Sequence, residues 1–395
     1  MLRLGLGLGL GLHRGAGKKD VVVFSFSGTS TEGAVGELRL KSAEDINLQT
    51  DPEDDITLSL DDVTYSDSVE LTADTQTTVY VKMNVANGTG TITTKKGVID
   101  NLGSHTGSGD PSNGQSVWRA STGTIPECTI NLQHVSKNCL YVVAYDNTTL
   151  IGAMPSGCLK ILLYSINWTY EGALPAGLTY LYILGHSTYW TYEGALPAGL
   201  THLYLYGRNI NWTYEGALPA GLTFLYLYGH NINWTYEGAL PVNLRYIWLL
   251  SDKIYWTYHG ALPIGVYYIF INSASVNWTW DANPISPPAS YPLPDGGSLS
   301  FLELVNYRTS GNKVTGEELK RLLIGAAGRT NDITASTFLI NEYDDSTPPI
   351  ADIVAAEPDE NGTLAEQIKY WINEVYTNKM GGTGTIQLNG TEVQE

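Results

Sequence analysis

LTHLYLYGRNINWTYEGALPAG, residues 200–221, is the stretch that decides the fold. Close copies flank it on both sides. Trp168, Trp190, Trp212, Trp234, Trp256 and Trp278 follow one another at intervals of 22 residues without slippage. An apolar frame recurs with them, at Leu178/Leu181/Ile183, Leu200/Leu203/Leu205, Leu222/Leu225/Leu227, Leu244/Ile247/Leu249 and Val266/Ile269/Ile271. The frame can be traced back, degraded, to Cys158/Ile161/Leu163 and Cys139/Val142/Ala144. Seven repeats follow from it. A frame at Leu299/Leu302/Leu304, beyond the Pro-rich stretch 284–294, would be an eighth. Self-similarity at such a period is the mark of stacked supersecondary units, each too small to bury its apolar face alone.

The L-x-x-L-x-L opening of the unit, Leu200/Leu203/Leu205, with Asn and Ile close behind, resembles the leucine-rich repeat family. The Leu-Pro pairs at 174–175, 196–197, 218–219, 240–241 and 262–263 resemble those of its short bacterial members. The resemblance implies one short parallel strand per unit, stacked into a solenoid with a concave sheet. The family's asparagine stands at the ninth position of the unit. Here Asn209 and Asn231 stand at the tenth, so its asparagine ladder does not carry over.

In a strand, alternate residues point to opposite faces. With positions 1, 4 and 6 of each unit inward, positions 3, 5 and 7 point out of the concave sheet. Seven units give twenty-one outward positions, of which fourteen are aromatic and one is formally charged. A solvated sheet face would carry Lys, Glu, Thr and Ser instead. Seven strands at about 4.8 Å each make a surface roughly 30 Å long. A monomer does not normally expose such a patch without a use for it. The candidate ligand-binding residues are therefore Tyr180, Tyr182, His202, Tyr204, Tyr206, Phe224, Tyr226, Tyr228, Tyr246, Trp248, Tyr268 and Phe270. Tyr and Trp give rigid, amphipathic contact area at low entropic cost. Their ring faces are expected to stack on sugar C–H faces and their hydroxyls to bond sugar hydroxyls. In the second half of the unit, Ile210, Trp212 and Tyr214 share one side and Asn211, Thr213 and Glu215 the other. The tryptophans are thus expected in a convex-side core, and Glu171, Glu193, Glu215 and Glu237 as a solvated row. The N-x-[ST] sites at Asn167, Asn211, Asn233 and Asn277 read as repeat chemistry.

Composition agrees with this division. Nineteen of the 26 Tyr and eight of the ten Trp lie between residues 139 and 280. The net charge of −18, with only 22 Lys and Arg, argues against nucleic-acid binding, which needs a basic footprint. Three Cys in 395 residues exclude a disulfide scaffold. Cys139 and Cys158 fall on core positions and are expected as buried thiols. Residues 20–76 hold fourteen acidic and two basic side chains. The DPEDD cluster at 51–55 lacks the alternating pattern of a Ca²⁺ loop and reads as a solvated acidic turn.

The fold class expected is α+β, mainly β. An acidic β-sandwich spans 20–103, on short alternating runs such as VVVFSFS and TTVYVKMNV. A linker and solenoid cap spans 104–138, the leucine-rich repeat solenoid 139–290, and a small α+β capping and docking domain 291–395. In the last, Thr315/Glu318 and Thr363/Glu366 are capping boxes that open helices. Asn389-Gly390 is expected to turn a hairpin.

The first 19 residues contain Leu4, Leu6, Leu8, Leu10 and Leu12, alternating with glycine. The run is too short to span a bilayer as a helix, and no other stretch suffices. His13, Arg14, Lys18 and Lys19 stand where a secretory signal would have its neutral cleavage region, so the opening reads as unprocessed. Two readings stay open: a terminus without fixed structure, and an assembly segment that orders by pairing with a neighbouring subunit. The LRLGLGLGLGLHR lead is similar to the Leu/Gly openings of bacteriophage virion proteins. The order of anchor, sandwich, repeat module and terminal domain resembles tail fibre or receptor-binding proteins. That resemblance implies a virion location, virion partners for the N-terminal segment, and a homo-oligomer.

The motifs of hydrolases, zinc proteases, nucleotide binders and redox dithiols are all missing. No enzyme activity, cofactor or metal site is expected. The expected function is recognition of a host surface glycan or protein by the aromatic face. The alternatives are a structural virion protein whose face is buried on another subunit, and a secreted adhesin of the cell surface.

Overall fold

The computed structural model describes residues 21–96, 99–105, 114–145, 147–164, 167–169, 173–185, 190–208, 210–251, 253–259, 263, 266, 268–272, 277–279, 301–305, 314–328, 337–340 and 343–394. The described chain is mainly β, with a β-solenoid of about five stacked turns in the middle and a few helices near its C-terminal end. The Leu/Gly segment with Leu4, Leu6, Leu8, Leu10 and Leu12 lies outside the described residues.

The alternating runs of the N-terminal part form strands divided between two sheets. In one, Ser68–Leu71, Ile46–Thr50, Gly90–Lys96, Val21–Ser27 and Glu127–Asn131 lie side by side, all antiparallel. In the other, Ile56–Ser59, Thr77–Met83 and Val35–Lys41 are antiparallel neighbours, with Trp118–Thr122 also paired to Val35–Lys41. Both sheets run on into the repeats. Glu127–Asn131 is joined by Thr148–Ile151 and then Asn167–Thr169, now parallel. Val35–Lys41 is joined by Asn101–Leu102, which pairs in parallel with Tyr141–Ala144. A single contiguous core of buried apolar residues accordingly runs from Val23 to Val393.

From Asn101–Leu102 the long sheet is parallel without interruption. Its strands are Tyr141–Ala144, Lys160–Tyr164, Tyr180–Leu184, His202–Tyr206, Phe224–Tyr228, Tyr246–Leu250, Tyr268–Asn272, Phe301–Val305, Thr337–Ile340 and Thr385–Leu388. Through the clean repeats the register follows the sequence period. Tyr180 pairs with His202, His202 with Phe224, Phe224 with Tyr246 and Tyr246 with Tyr268. Leu203, Leu205, Leu225, Leu227, Ile247 and Leu249 point inward and are fully buried. Across the core stands a second parallel sheet: Trp190–Glu193, Ile210–Glu215, Ile232–Glu237, Ile254–His259 and Asn277–Thr279. Its register is different. Trp212 pairs with Ile232 and Trp234 with Ile254, a step of 20 residues instead of 22. The second sheet is therefore sheared by two residues per turn. Two is the pleat period, so each side chain keeps its face.

The conserved frame of each unit has a physical account. The Leu-Pro pair makes a turn in which the Leu200 N–H donates to the Pro197 carbonyl at 3.0 Å; Leu222 and Pro219 repeat it at 3.0 Å. The Thr201 hydroxyl donates to the Thr179 carbonyl at 2.8 Å, and Thr223 to Thr201 at 3.0 Å, clamping one rung to the next. In WTYEGA, the Tyr214 hydroxyl donates to the Ala217 carbonyl at 2.6 Å. Gly216 and Gly238 turn the chain there with φ of 141° and 150°.

Toward the C-terminus helices take the place in chain order that the second-sheet strand holds in each solenoid turn. Helix α1 (Gly316–Ala327) lies between Phe301–Val305 and Thr337–Ile340. Helices α2 (Ile350–Ala355) and α3 (Leu364–Glu374) lie between Thr337–Ile340 and Thr385–Leu388. Both capping boxes form, Thr315 with Glu318 on α1 and Thr363 with Glu366 on α3. Helix α3 buries Ile368 and Ile372 against the core, and a π turn over Val375–Lys379 ends it. Thr385–Leu388 then turns at Asn389-Gly390, both at positive φ, to pair antiparallel with Thr391–Glu392. Left-handed residues at both central positions match the twist of a two-residue hairpin.

Candidate functional site

The outer face of the long sheet carries the aromatic residues in three columns set by the register. The first runs Tyr180, His202, Phe224, Tyr246, Tyr268, with successive ring centroids 4.7, 6.1, 4.4 and 4.3 Å apart. The second runs Tyr182, Tyr204, Tyr226, Trp248, Phe270, at 4.2, 4.2, 5.1 and 4.2 Å. In the third, Tyr145 stacks on Tyr164 at 4.1 Å and Tyr206 on Tyr228 at 4.5 Å. The sheet thus brings all twelve candidate residues onto one face.

The ring planes within a column are nearly parallel: 14° and 17° around Tyr204, and 9° and 10° around Tyr246. This corrects the expectation that ring faces await a ligand. Parallel in-register strands repeat every 4.8 Å or so. Rings repeated at that interval cover one another's faces in the offset stacking that aromatic pairs prefer. What a column turns outward is its ring edges and hydroxyls. The hydroxyls of Tyr182, Tyr204 and Tyr226 are hydrogen-bonded in turn.

Burial divides the face. Val143 and Leu162, although they point out of the sheet, are fully buried, and Tyr180 and Tyr182 are only 5% and 7% exposed. Those two tyrosines belong to a covered apolar cluster at the N-terminal end. From His202 to Phe270 the ten remaining candidates are half-buried, and they form the accessible part. The covered end also holds Lys160, whose ammonium lies 5.9 Å from the ring centroids of both Tyr141 and Tyr180. Burial lowers the Lys160 pKa, and it also lowers that of His202, to which the Lys160 charge adds. His202 therefore favours its neutral form, and the accessible columns are uncharged.

The opposite outer surface is polar, with Thr213, Glu215, Thr235 and Glu237 exposed. Trp212, Trp234 and Trp256 are fully buried beneath it. Cys128, Cys139 and Cys158 are free and buried; burial pushes the Cys139 thiol up to about 12. In the acidic turn, Asp54 accepts from the Thr91 N–H and hydroxyl at 2.8 and 3.1 Å, and Asp55 from the Thr89 N–H at 3.1 Å. These carboxylates serve loop geometry. No cluster of three or more His, Cys, Asp or Glu that could hold a metal occurs among the described residues. No described helix is long and apolar enough to cross a membrane.

Sequence reasoning passed over the non-aromatic positions of the third column, Leu184 and Leu250. Their signal was present in the aligned units, where position 7 loses its tyrosine at these two places and at Asn272. No protein-family model matches the chain, and no curated protein matches it.

The stacked phenols have a titration signature. Burial, followed by the neighbouring tyrosines and hydrogen bonds to them, raises the pKa of Tyr204, Tyr226 and Tyr246 above the ordinary value. A raised folded-state pKa means that the fold favours the neutral phenol. The stabilisation is complete below the unfolded value of about 10 and is lost as pH rises through the folded value. Phenolate absorbance at about pH 11 is expected to count fewer ionised tyrosines in native protein than in urea. The remainder should ionise together with unfolding. Titration of all 26 tyrosines in one wave in both states would contradict the buried ladder.

Proposed function

We propose that this is a non-enzymatic recognition protein whose aromatic sheet face, from His202 to Phe270, contacts a host surface glycan or protein. The observation that carries the reading is the uncharged, half-exposed array of rings held by mutual stacking. Rings fixed in advance lose little rotamer freedom on binding, and preorganised aromatic clusters dominate interface energetics. The setting proposed is a bacteriophage virion, of tail-fibre or receptor-binding type. There the chain would act as a homo-oligomer attached to other virion proteins through its Leu/Gly segment. The same reading takes the solenoid as a leucine-rich repeat array and the N-terminal strands as a β-sandwich.

The test is binding to host cells and to a surface-glycan array, compared with the triple variant Tyr204→Ala, Tyr226→Ala, Trp248→Ala. Truncating three central anchors is expected to weaken binding by about a hundredfold or more. Undiminished binding by a folded triple variant would remove the face from the function.

The covered ring faces favour one second reading, a face buried against another virion subunit. A surface of ring edges resembles a core cut open more than a set of sugar platforms. A chain that stays monomeric in light scattering at micromolar concentration would count against it.

A further inference from the structure

The third column is where the stacking stops short. Tyr206 stacks on Tyr228 at 4.5 Å, and the next residue in register is Leu250, followed by Asn272. A leucine side chain ends two carbons beyond its Cβ, whereas a tyrosine ring and hydroxyl reach much further from the sheet. The outer half of the Tyr228 ring therefore rises above Leu250, with no ring of the described residues stacked on that side. Columns one and two show the contrast: Tyr204, Tyr226, Trp248, Phe224 and Tyr246 each have a ring on both sides. Tyr228 and Leu250 are both half-buried, so each keeps part of its surface open to solvent. Trp248 lies on the same strand as Leu250, and its indole N–H is buried without a hydrogen-bond partner among the described residues.

We infer that this notch is a subsite for one neutral pyranose ring, stacked through its C–H face on the outer half of Tyr228 with Leu250 as the floor. The inference rests on the reading of the face as a glycan-recognition surface and says where on that face a sugar is gripped. Three features select the ligand. The wall is a flat π face, which attracts the polarised C–H bonds of a sugar ring. The rings nearest in register, Tyr226, Trp248 and Phe270, are uncharged, so none of them pairs with an acidic or amino sugar. The next two register positions, Leu250 and Asn272, carry no ring, and they span about 9–10 Å along the solenoid axis, more than the thickness of an arene. The other break in the column, at Leu184 between Tyr164 and Tyr206, lies against the covered cluster of Val143, Leu162, Tyr180 and Tyr182.

The test uses the full chain. The wild type is screened on a printed array of neutral oligosaccharides, and the strongest binder is titrated calorimetrically. Leu250→Tyr completes the column. It is expected to keep or raise the melting temperature while weakening the glycan by about tenfold or more. Tyr228→Ala should lose as much, and Leu250→Val, which keeps the notch, should bind as wild type. If Tyr204→Ala loses binding while Leu250→Tyr and Tyr228→Ala keep it, the subsite is wrong and the face still binds glycan. If none of the three weakens binding, or the wild type binds no neutral glycan, subsite and glycan reading fall together. If the folded wild type binds only a host surface protein, the notch is not a sugar site.

Discussion

Trp234→Ala is expected to remove about 3–5 kcal/mol of folding free energy, the range for truncating a fully buried large aromatic. Trp234 has no exposed surface, lies between the rings of Tyr236 and Trp256, and donates its indole N–H to the Gly216 carbonyl at 3.0 Å. The substitution leaves a cavity between the two sheets and an unpaired carbonyl in the turn below. In a stacked array each rung is held by its neighbours, so a weak rung weakens the interfaces on both sides. Thr235→Ala, next along the chain but exposed, should stay within about 0.5 kcal/mol of wild type. A sharper comparison uses phenylalanine. Trp256 repeats the indole bond, to Gly238 at 2.9 Å, but the Trp212 indole nitrogen has no partner among the described residues. Trp234→Phe should therefore cost about 1 kcal/mol more than Trp212→Phe, because only the former gives up a hydrogen bond. Urea denaturation of the four variants measures this directly. Equal costs for the two phenylalanine variants would mean that the indole bonds contribute nothing.

Gly207→Val is expected to cost about 3 kcal/mol, at the upper end for overpacking. A Cβ at 207 would stand 2.4 Å from the Gly185 carbonyl oxygen on the rung below. That oxygen is backbone and cannot rotate away. Gly185 is itself tied to the long sheet, donating its N–H to the Tyr206 carbonyl at 2.9 Å. Relief must come from separating the rungs, and rung separation sets the ring stacking. A change in near-ultraviolet circular dichroism from the Tyr182–Tyr204 pair, which spans these two rungs, should accompany the lower melting temperature. Gly221 is the control. A Cβ there would have its nearest neighbour at 3.9 Å, ordinary contact, so Gly221→Ala should be close to neutral. A stable, spectrally unchanged Gly207→Val would show that the rungs are less closely packed than the structure has them.

Legibility in the sequence followed the range of the forces involved. The 22-residue interval fixed which side chains share a column, because in-register parallel pairing and pleat alternation are local rules. The frame at Leu203/Leu205 and the alternation through Ile210 and Trp212 gave both buried faces for the same reason. The two capping boxes and the Asn389-Gly390 turn are short-range chemistry and were legible outright. Covering of ring faces needed one more step, combining the strand interval with the thickness of an arene. The burial of Tyr180 and Tyr182 was not legible, since it depends on packing at the end of the solenoid where the periodicity degrades. The shear of the second sheet was hidden because a step of two residues leaves the inward and outward pattern unchanged. Trp118, fully buried with its indole N–H on the Pro126 carbonyl at 3.1 Å, sits among turn-forming residues with no alternation to announce it. Helix α2 is too short to show a helical period.

The uninterrupted register of the parallel sheet has a consequence for how such a molecule can change. The segment WTYEGALPAGLT stands three times, beginning at Trp168, Trp190 and Trp212. Because each clean rung pairs in the same register with the rung before it, inserting or deleting one whole unit leaves both ends of the solenoid meeting the neighbours they already have. The face would lengthen or shorten by one strand interval, about 4.8 Å, with no new interface to be invented. The reach of the aromatic surface is thus a quantity that simple duplication can adjust, while its cross-section stays fixed.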